Sequence, residues 1–275
     1  MPEHYEVRRM AEYLKDHGLV GQTLKQAEFK NKGQRILKGD LSMDLLMGSK
    51  LNDVKVKAKY TGFEFDNATL VMHYRFTGIP HLRGIPYGDR LQTIFSLPIK
   101  YSNPNHCRFT WGFDSLVLDF YDTRCLSVMS IHKGVCFNEI EQIMTLPDDV
   151  SQFMPYSFDL FKTATTKRKK QLKLWLLDQT VAPSGIGNYL ACEILAYAKL
   201  DPFMLINELS ESQFEQLMDA IVRVSSLAAQ TPAYEWFKVF NRETCGFCDS
   251  TIHKQKVPAG SQTTHYCKNC LNLPI

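Results

Sequence analysis

The 275-residue chain has little net charge, +3 from 32 basic and 29 acidic residues, which excludes a polycation that coats phosphate by bulk charge alone. It has no apolar run near the ~20 residues a membrane span requires. It also lacks an apolar leader, since the first residues carry Glu3, Arg8 and Arg9. A soluble, cytoplasmic protein without membrane partners is therefore expected. Internal repeats and low-complexity tracts are missing too. Cysteine is sparse until the last stretch: Cys107, Cys125, Cys136 and Cys192 are scattered without ligand spacing and read as small hydrophobes.

The remaining four cysteines form two CxxC pairs, Cys245/Cys248 and Cys267/Cys270, on either side of a stretch with a Pro258-Ala259-Gly260 turn. Two such turns joined by a hairpin present four sulfurs to one ion, which predicts a zinc ribbon holding one structural Zn2+. With four thiolates no coordination position stays open for catalysis. Paired disulfides are the competing reading, but they require an oxidising compartment.

Before that clip the chain changes character twice. Residues 3–17 predict a helix with Val7, Met10, Ala11 and Leu14 on one face and Gly18 ending it. From about residue 20 to 135 short strand-like runs follow, among them "VKVKAKYTGFEF", "TLVMHYRF" and "SLVLDFYD", separated by Gly, Pro and Asn. The chain then turns helical. The clearest helix begins at Ser210 with Gln213 completing a capping box, and Phe214, Leu217, Met218, Ile221 and Val222 are assigned to its core face. The expected class is α+β: an N-terminal helix and β-sandwich domain (1–135), a linker (136–150), a helical domain (151–230) and the zinc ribbon (231–275).

Positive charge is uneven. Lys167, Arg168, Lys169, Lys170 and Lys173 lie together, and Lys55, Lys57 and Lys59 alternate, as if on one strand face. A solvated helix start explains the first cluster equally well. Downstream, "SGIGNYLACEIL" is a glycine turn leading to Asn188 and a helix. That geometry either brings backbone amides against a phosphate or forms a plain helical corner.

Taken in order, these segments resemble the formamidopyrimidine-DNA glycosylase/endonuclease VIII family of base-excision repair enzymes over essentially the whole chain. "LLDQTVAPSGIGNYLACEIL" is similar to its helix-two-turn-helix motif, with Asn188 at the phosphate-contacting position and Lys173 in the basic approach. "VKAKYTGFEF" carries Lys59 at the family's lysine, and "YDTRCLSV" is a weaker match to its Arg-Arg-Phe-Gly segment. The resemblance implies a bifunctional glycosylase/AP lyase acting on damaged double-stranded DNA as a monomer, nucleoid-associated in a bacterial cell. Loss of Met1 would expose the Pro2 amine, whose reference pKa near ~8 leaves more of it unprotonated than a lysine. Pro2 would form the Schiff base and Glu3, with Glu6 nearby, would move the proton. Phe76, Arg124 and Leu126 match the side chains that fill the hole left by an extruded base, although Phe76 and Leu126 also read as core.

Two positions depart from the family pattern. Gln262 replaces the arginine five residues before the third cysteine, and Cys125-Leu126-Ser127 replaces the Arg-Phe-Gly run. Either the lesion differs, or the chain is a DNA-binding relative with weakened chemistry. A zinc-ribbon protein that binds RNA or protein is the more distant alternative. Members of the resembled family that prefer oxidised purines carry a longer loop after the helical module. The short stretch from Ala228 to the first cysteine leaves little room for one, which favours oxidised pyrimidines or an uncommon lesion.

Overall fold

Val7, Met10, Ala11 and Leu14 recur at helical spacing, and all four are buried along α1 (His4–Asp16) in the computed structural model. Gly18, at φ +76°, turns the chain out of that helix. The structure describes residues 2–88, 103–180, 183–231, 234–256, 262–271 and 273. They fall into two units, Met1–Leu146 and Pro147–Ile275.

In the first unit, β1 (Leu24–Phe29), β6 (Gly78–Leu82), β7 (Cys107–Phe113) and β8 (Val117–Asp122) form a sheet in the order β1-β7-β8-β6. A second sheet, β2-β9-β5-β4-β3, contains β2 (Leu37–Lys38), β3 (Leu51–Lys57), β4 (Tyr60–Phe65), β5 (Ala68–His73) and β9 (Val128–Lys133). The sheets share one core. Phe63 of β4 meets Trp111 of β7 edge-on at 5.6 Å, and Phe109 stacks on Trp111 and Phe120, each at 4.7 Å. Lys15 at the end of α1 pairs with Asp53 of β3 at 2.7 Å.

The alternating run "VKVKAKYTGFEF" is a hairpin and not one strand. Lys57 pairs with Tyr60, and the reversal passes through Ala58 at φ +55°. Lys59 therefore sits in the turn, Lys55 is paired with Glu64 at 2.8 Å, and the three lysines do not share a strand face. Alternation cannot reveal such a reversal when the turn residues continue the pattern. The expected linker is also partly structured. Phe137, Ile140 and Ile143, around α2 (Glu141–Met144), are buried with Val71 of β5.

The second unit contains α3 (Phe158–Thr165), α4 (Leu172–Leu176), α5 (Asn188–Ala198) and α6 (Glu211–Gln230), followed by the antiparallel hairpin β10 (His253–Lys256) and β11 (Thr263–Tyr266). The Pro258-Ala259-Gly260 turn expected between those two strands lies outside the described residues. At the start of α6, Ser210 N donates to Gln213 Oε1 at 3.0 Å and Gln213 N donates to Ser210 Oγ at 3.3 Å, a cap contributing about 1 kcal/mol. Phe214, Leu217, Met218 and Ile221 are buried, whereas Val222 is 45% exposed. One residue past Ile221 is a 100° rotation, and Val224 and Ser225 take the inward positions instead. Among the described residues no helix is long and apolar enough to cross a membrane.

Candidate functional site

At the start of α1 three ionisable side chains come together out of solvent. Pro2 is buried, Glu3 and Glu6 are buried carboxylates, and Lys59 reaches them from the β3–β4 turn. The helix start explains the arrangement. Glu3 N donates to Glu6 Oε2 at 2.7 Å, and the Glu3 carboxylate faces the Glu6 N–H in a reciprocal capping box. His4 Nδ1 donates to Ala58 O at 3.0 Å, which fastens the helix to the turn that carries Lys59. Burial pulls the Lys59 pKa down to about 8, while the charges of Glu3 and Glu6 pull it up. The site thus holds a lysine poised near neutrality beside two carboxylates.

His73 is a further member that sequence reading passed over, although it stands in the quoted "TLVMHYRF". It lies opposite Tyr60 across β4 and β5, with ring centroids 4.8 Å apart. Burial, reinforced by the charges of Arg75 and Lys59, holds its pKa at about 3, so the ring is neutral. Arg75 N donates to His73 Nδ1 at 3.0 Å, which puts the ring proton on Nε2. The signal was cross-strand register, invisible until the hairpin is known.

Phe76, Arg124 and Leu126 lie on two neighbouring loops. Phe76 and Leu126 are 37% and 42% exposed, so neither is a core residue. The Arg124 guanidinium stacks over the Phe76 ring, with Cζ 4.6 Å from its centre. Large apolar side chains displayed in this way on a loop pair suit insertion into a stacked partner.

In the second unit the structure separates two residues expected to act alike. Asn188 opens α5, after Gly187 as N-cap and Gly185 at φ +93°. Lys173 is not a surface charge, because it is fully buried. Its Nζ donates to Asn188 Oδ1 at 2.7 Å, Thr264 Oγ1 at 3.0 Å, Thr263 O at 3.3 Å and Cys192 Sγ at 3.4 Å. Cys192 is thus a polar partner as well as a small hydrophobe. Asn188 Nδ2 donates to Thr263 O at 3.0 Å, so the lysine and the hairpin fix the amide and leave its second N–H to point elsewhere. Nothing in "KRKKQLK" distinguishes the buried lysine from the solvated ones. Gln262 is half-buried, and its Oε1 is enclosed without a hydrogen-bond partner among the described residues.

Lys173→Ala would strand several buried acceptors at once, so a loss of roughly 2–4 kcal/mol of stability is expected, against about ±0.5 kcal/mol for a surface lysine. Urea unfolding measures this directly, and an unchanged midpoint would return Lys173 to the surface.

The four late cysteines converge. Their sulfurs all lie within 4.8 Å of one another, with Cys245–Cys270 at 3.7 Å, Cys248–Cys267 at 3.6 Å and Cys248–Cys270 at 3.4 Å. Four sulfurs held tetrahedrally at ~2.3 Å from an ion stand about 3.8 Å apart, whereas a disulfide needs ~2.05 Å. Phe247 N points at Cys245 Sγ at 3.5 Å, as in a metal knuckle. The set fits a structural metal ion. A second buried anchor lies beside it: Glu193 of α5 accepts from Lys238 N, Val239 N and Phe240 N at 2.7, 2.9 and 2.7 Å. Burial raises its pKa against those three donors, and no sequence signal marked it.

Residues 1–129 match the model of the formamidopyrimidine-DNA glycosylase N-terminal domain, and residues 148–234 match that family's H2TH domain. The chain belongs to the formamidopyrimidine-DNA glycosylase family. It is 27% identical to the formamidopyrimidine-DNA glycosylase of Ureaplasma parvum over 99% of this chain and 100% of the relative. The Heliobacterium modesticaldum enzyme is 26% identical over 98% and 99%. Among solved structures, the fold is similar to the Lactococcus lactis enzyme non-covalently bound to DNA containing an AP site, with TM-score 0.81, 23% identity and 98% of both chains covered. It is also similar to the MutM protein of Thermus thermophilus, with TM-score 0.79 and 23% identity over the whole of both chains. Within the family frame, Tyr234 and Trp236 serve packing: both rings lie against Tyr189 of α5, at 5.7 and 6.4 Å.

Proposed function

We propose that this family member is a bifunctional DNA glycosylase and AP lyase that excises oxidised bases from duplex DNA through a Schiff base on Pro2. The observation that carries this reading is the buried convergence of Pro2, Glu3, Glu6 and Lys59 at the start of α1. With Met1 removed, the Pro2 nitrogen lone pair attacks C1′ of the damaged nucleotide and the glycosidic bond electrons leave with the base, which takes up a proton. The proton released from the Pro2 nitrogen on attack passes to the Glu3 carboxylate, which delivers it to the ring oxygen as the sugar opens to an iminium. Loss of the C2′ proton then expels the 3′ phosphate and cuts the strand. Lys59 contacts a phosphate at the lesion. In the second unit Asn188 offers its amide to duplex phosphate, Gln262 provides a neutral donor where the family has arginine, and Cys245, Cys248, Cys267 and Cys270 hold one structural Zn2+.

Borohydride trapping on an abasic duplex tests the reading. A covalent protein–DNA adduct is expected, and tight binding without an adduct would overturn the enzyme assignment in favour of a silent DNA-binding relative.

The position of Lys59 makes the phosphate contact pH-dependent. With a pKa of about 8 in place of the ordinary 10.5, it loses its charge as pH rises through about 8. Affinity for a duplex with a non-cleavable abasic analogue should therefore weaken over that interval. Lys59→Arg, which stays protonated, should flatten the decline. Identical pH profiles for the two proteins would place the phosphate away from Lys59.

A further inference from the structure

The two loops that present Phe76 and Arg124 meet on one buried carboxylate. Asp122, at the end of β8, has no exposed surface. Its Oδ2 accepts from Leu126 N, Ser127 N and Ser127 Oγ, each at 2.8 Å, and its Oδ1 accepts from Arg124 N at 3.1 Å. The Thr77 hydroxyl, next to Phe76 on the other loop, also donates to Oδ1. Arg124 N reaches Thr77 Oγ1 as well, at 3.3 Å. A second buried charge holds the outside of the same turn: Arg108 donates from Nε to Asp122 O at 2.6 Å and from Nη2 to Thr123 O at 3.3 Å. Between these anchors Cys125 takes a left-handed φ of +52°, the tight reversal that sets Arg124 and Leu126 on either side of it.

We propose that Asp122 is a positioning residue that locks the two loops in register, so that Phe76, Arg124 and Leu126 enter the base stack as one preformed wedge. The proposal rests on reading those three side chains as the void-filling group. Its physical basis is the mismatch between what the wedge must do and what supports it. Phe76 and Leu126 are more than a third exposed, so neither is locked in place by a core. Unstacking a base step is costly, and loops that must order at the same moment lose further affinity. A single anion facing only donors removes that ordering term, because charge-assisted hydrogen bonds in a buried setting are the strong ones. The charge matters more than the shape: the amide of asparagine would aim its own N–H bonds at backbone N–H groups. Thr77 makes the lock a link between loops and not merely a cap on one of them.

The test compares affinity for intact duplex with affinity for duplex carrying a stable abasic analogue, using the full-length protein and its variants. Asp122→Asn is expected to bind intact duplex as the wild type does, yet to lose preference for the abasic duplex by roughly tenfold. Should that variant fail to fold, Thr77→Val removes only the cross-loop hydroxyl and should cut the preference by about threefold, while Thr77→Ser restores it. Rescue by serine is a result that a purely structural role for the threonine methyl would not give. Phe76→Ala separates the two layers of the argument. If it abolishes the preference while the folded Asp122→Asn and Thr77→Val variants keep it, the lock is wrong and the wedge stands. If Phe76→Ala and Arg124→Ala both keep the preference, the wedge reading fails and the proposal falls with it.

Discussion

A protein carrying additional residues ahead of Pro2 is expected to bind abasic duplex but to form no borohydride-trapped adduct and to cut the strand at least about a thousandfold more slowly. Extension turns the secondary amine into an amide, which has no basic lone pair to attack C1′. The rest of the site should persist, because α1 is held by the Glu3–Glu6 capping box, the His4–Ala58 bond and the buried Val7, Met10 and Leu14. Glu3→Gln gives the complementary result. It preserves shape at the cap but removes the proton donor, so release of an intact damaged base should fall by roughly 10²–10⁴-fold. Cleavage at a preformed abasic site should fall less, since no base has to leave. Gel separation of the cut strands reads both rates, and undiminished cleavage by the extended protein would remove Pro2 from the mechanism.

The second large effect is expected from the metal site. Cys267→Ser should leave the purified protein short of zinc and the hairpin unfolded, because a structural zinc contributes on the order of 10 kcal/mol to the fold that holds it. The loss should reach the helices of the same unit. Thr263 and Thr264 of β11 are hydrogen-bond partners of Lys173, and His265 N donates to Cys192 Sγ at 3.4 Å. Hydrogen exchange should therefore accelerate in β10 and β11 first, and then around Lys173 and Asn188, while β3 to β5 of the first unit keep their protection. Elemental analysis of the wild type, purified without chelators, supplies the decisive control: no zinc would mean that the four thiols do not serve this ion.

Much of this molecule is written in short-range pattern. The apolar stripe of α1, the cap at Ser210 and Gln213, the sheet-rich first unit and the paired CxxC turns are properties of residues within a few positions of each other. Periodicity and spacing therefore suffice to read them. The order of these segments, matched to a family, also singled out Phe76 and Arg124 as candidates, but could not say whether their side chains face solvent or core.

What only tertiary structure decided is the environment of each charge. Lys173 and Lys169 look alike in sequence, yet one is fully buried among four hydrogen-bond partners and the other is exposed. Lys59 left the strand face assigned to it because a hairpin closed at Ala58, and the same closure placed His73 nearby and drew the lysine's pKa toward neutrality. Asp122 and Glu193 emerged as anchors only once backbone N–H groups from other segments were seen to converge on them. Desolvation and hydrogen bonding depend on neighbours distant in the chain, so a residue's identity states which interactions it can make, and only the folded contacts decide which of them it makes.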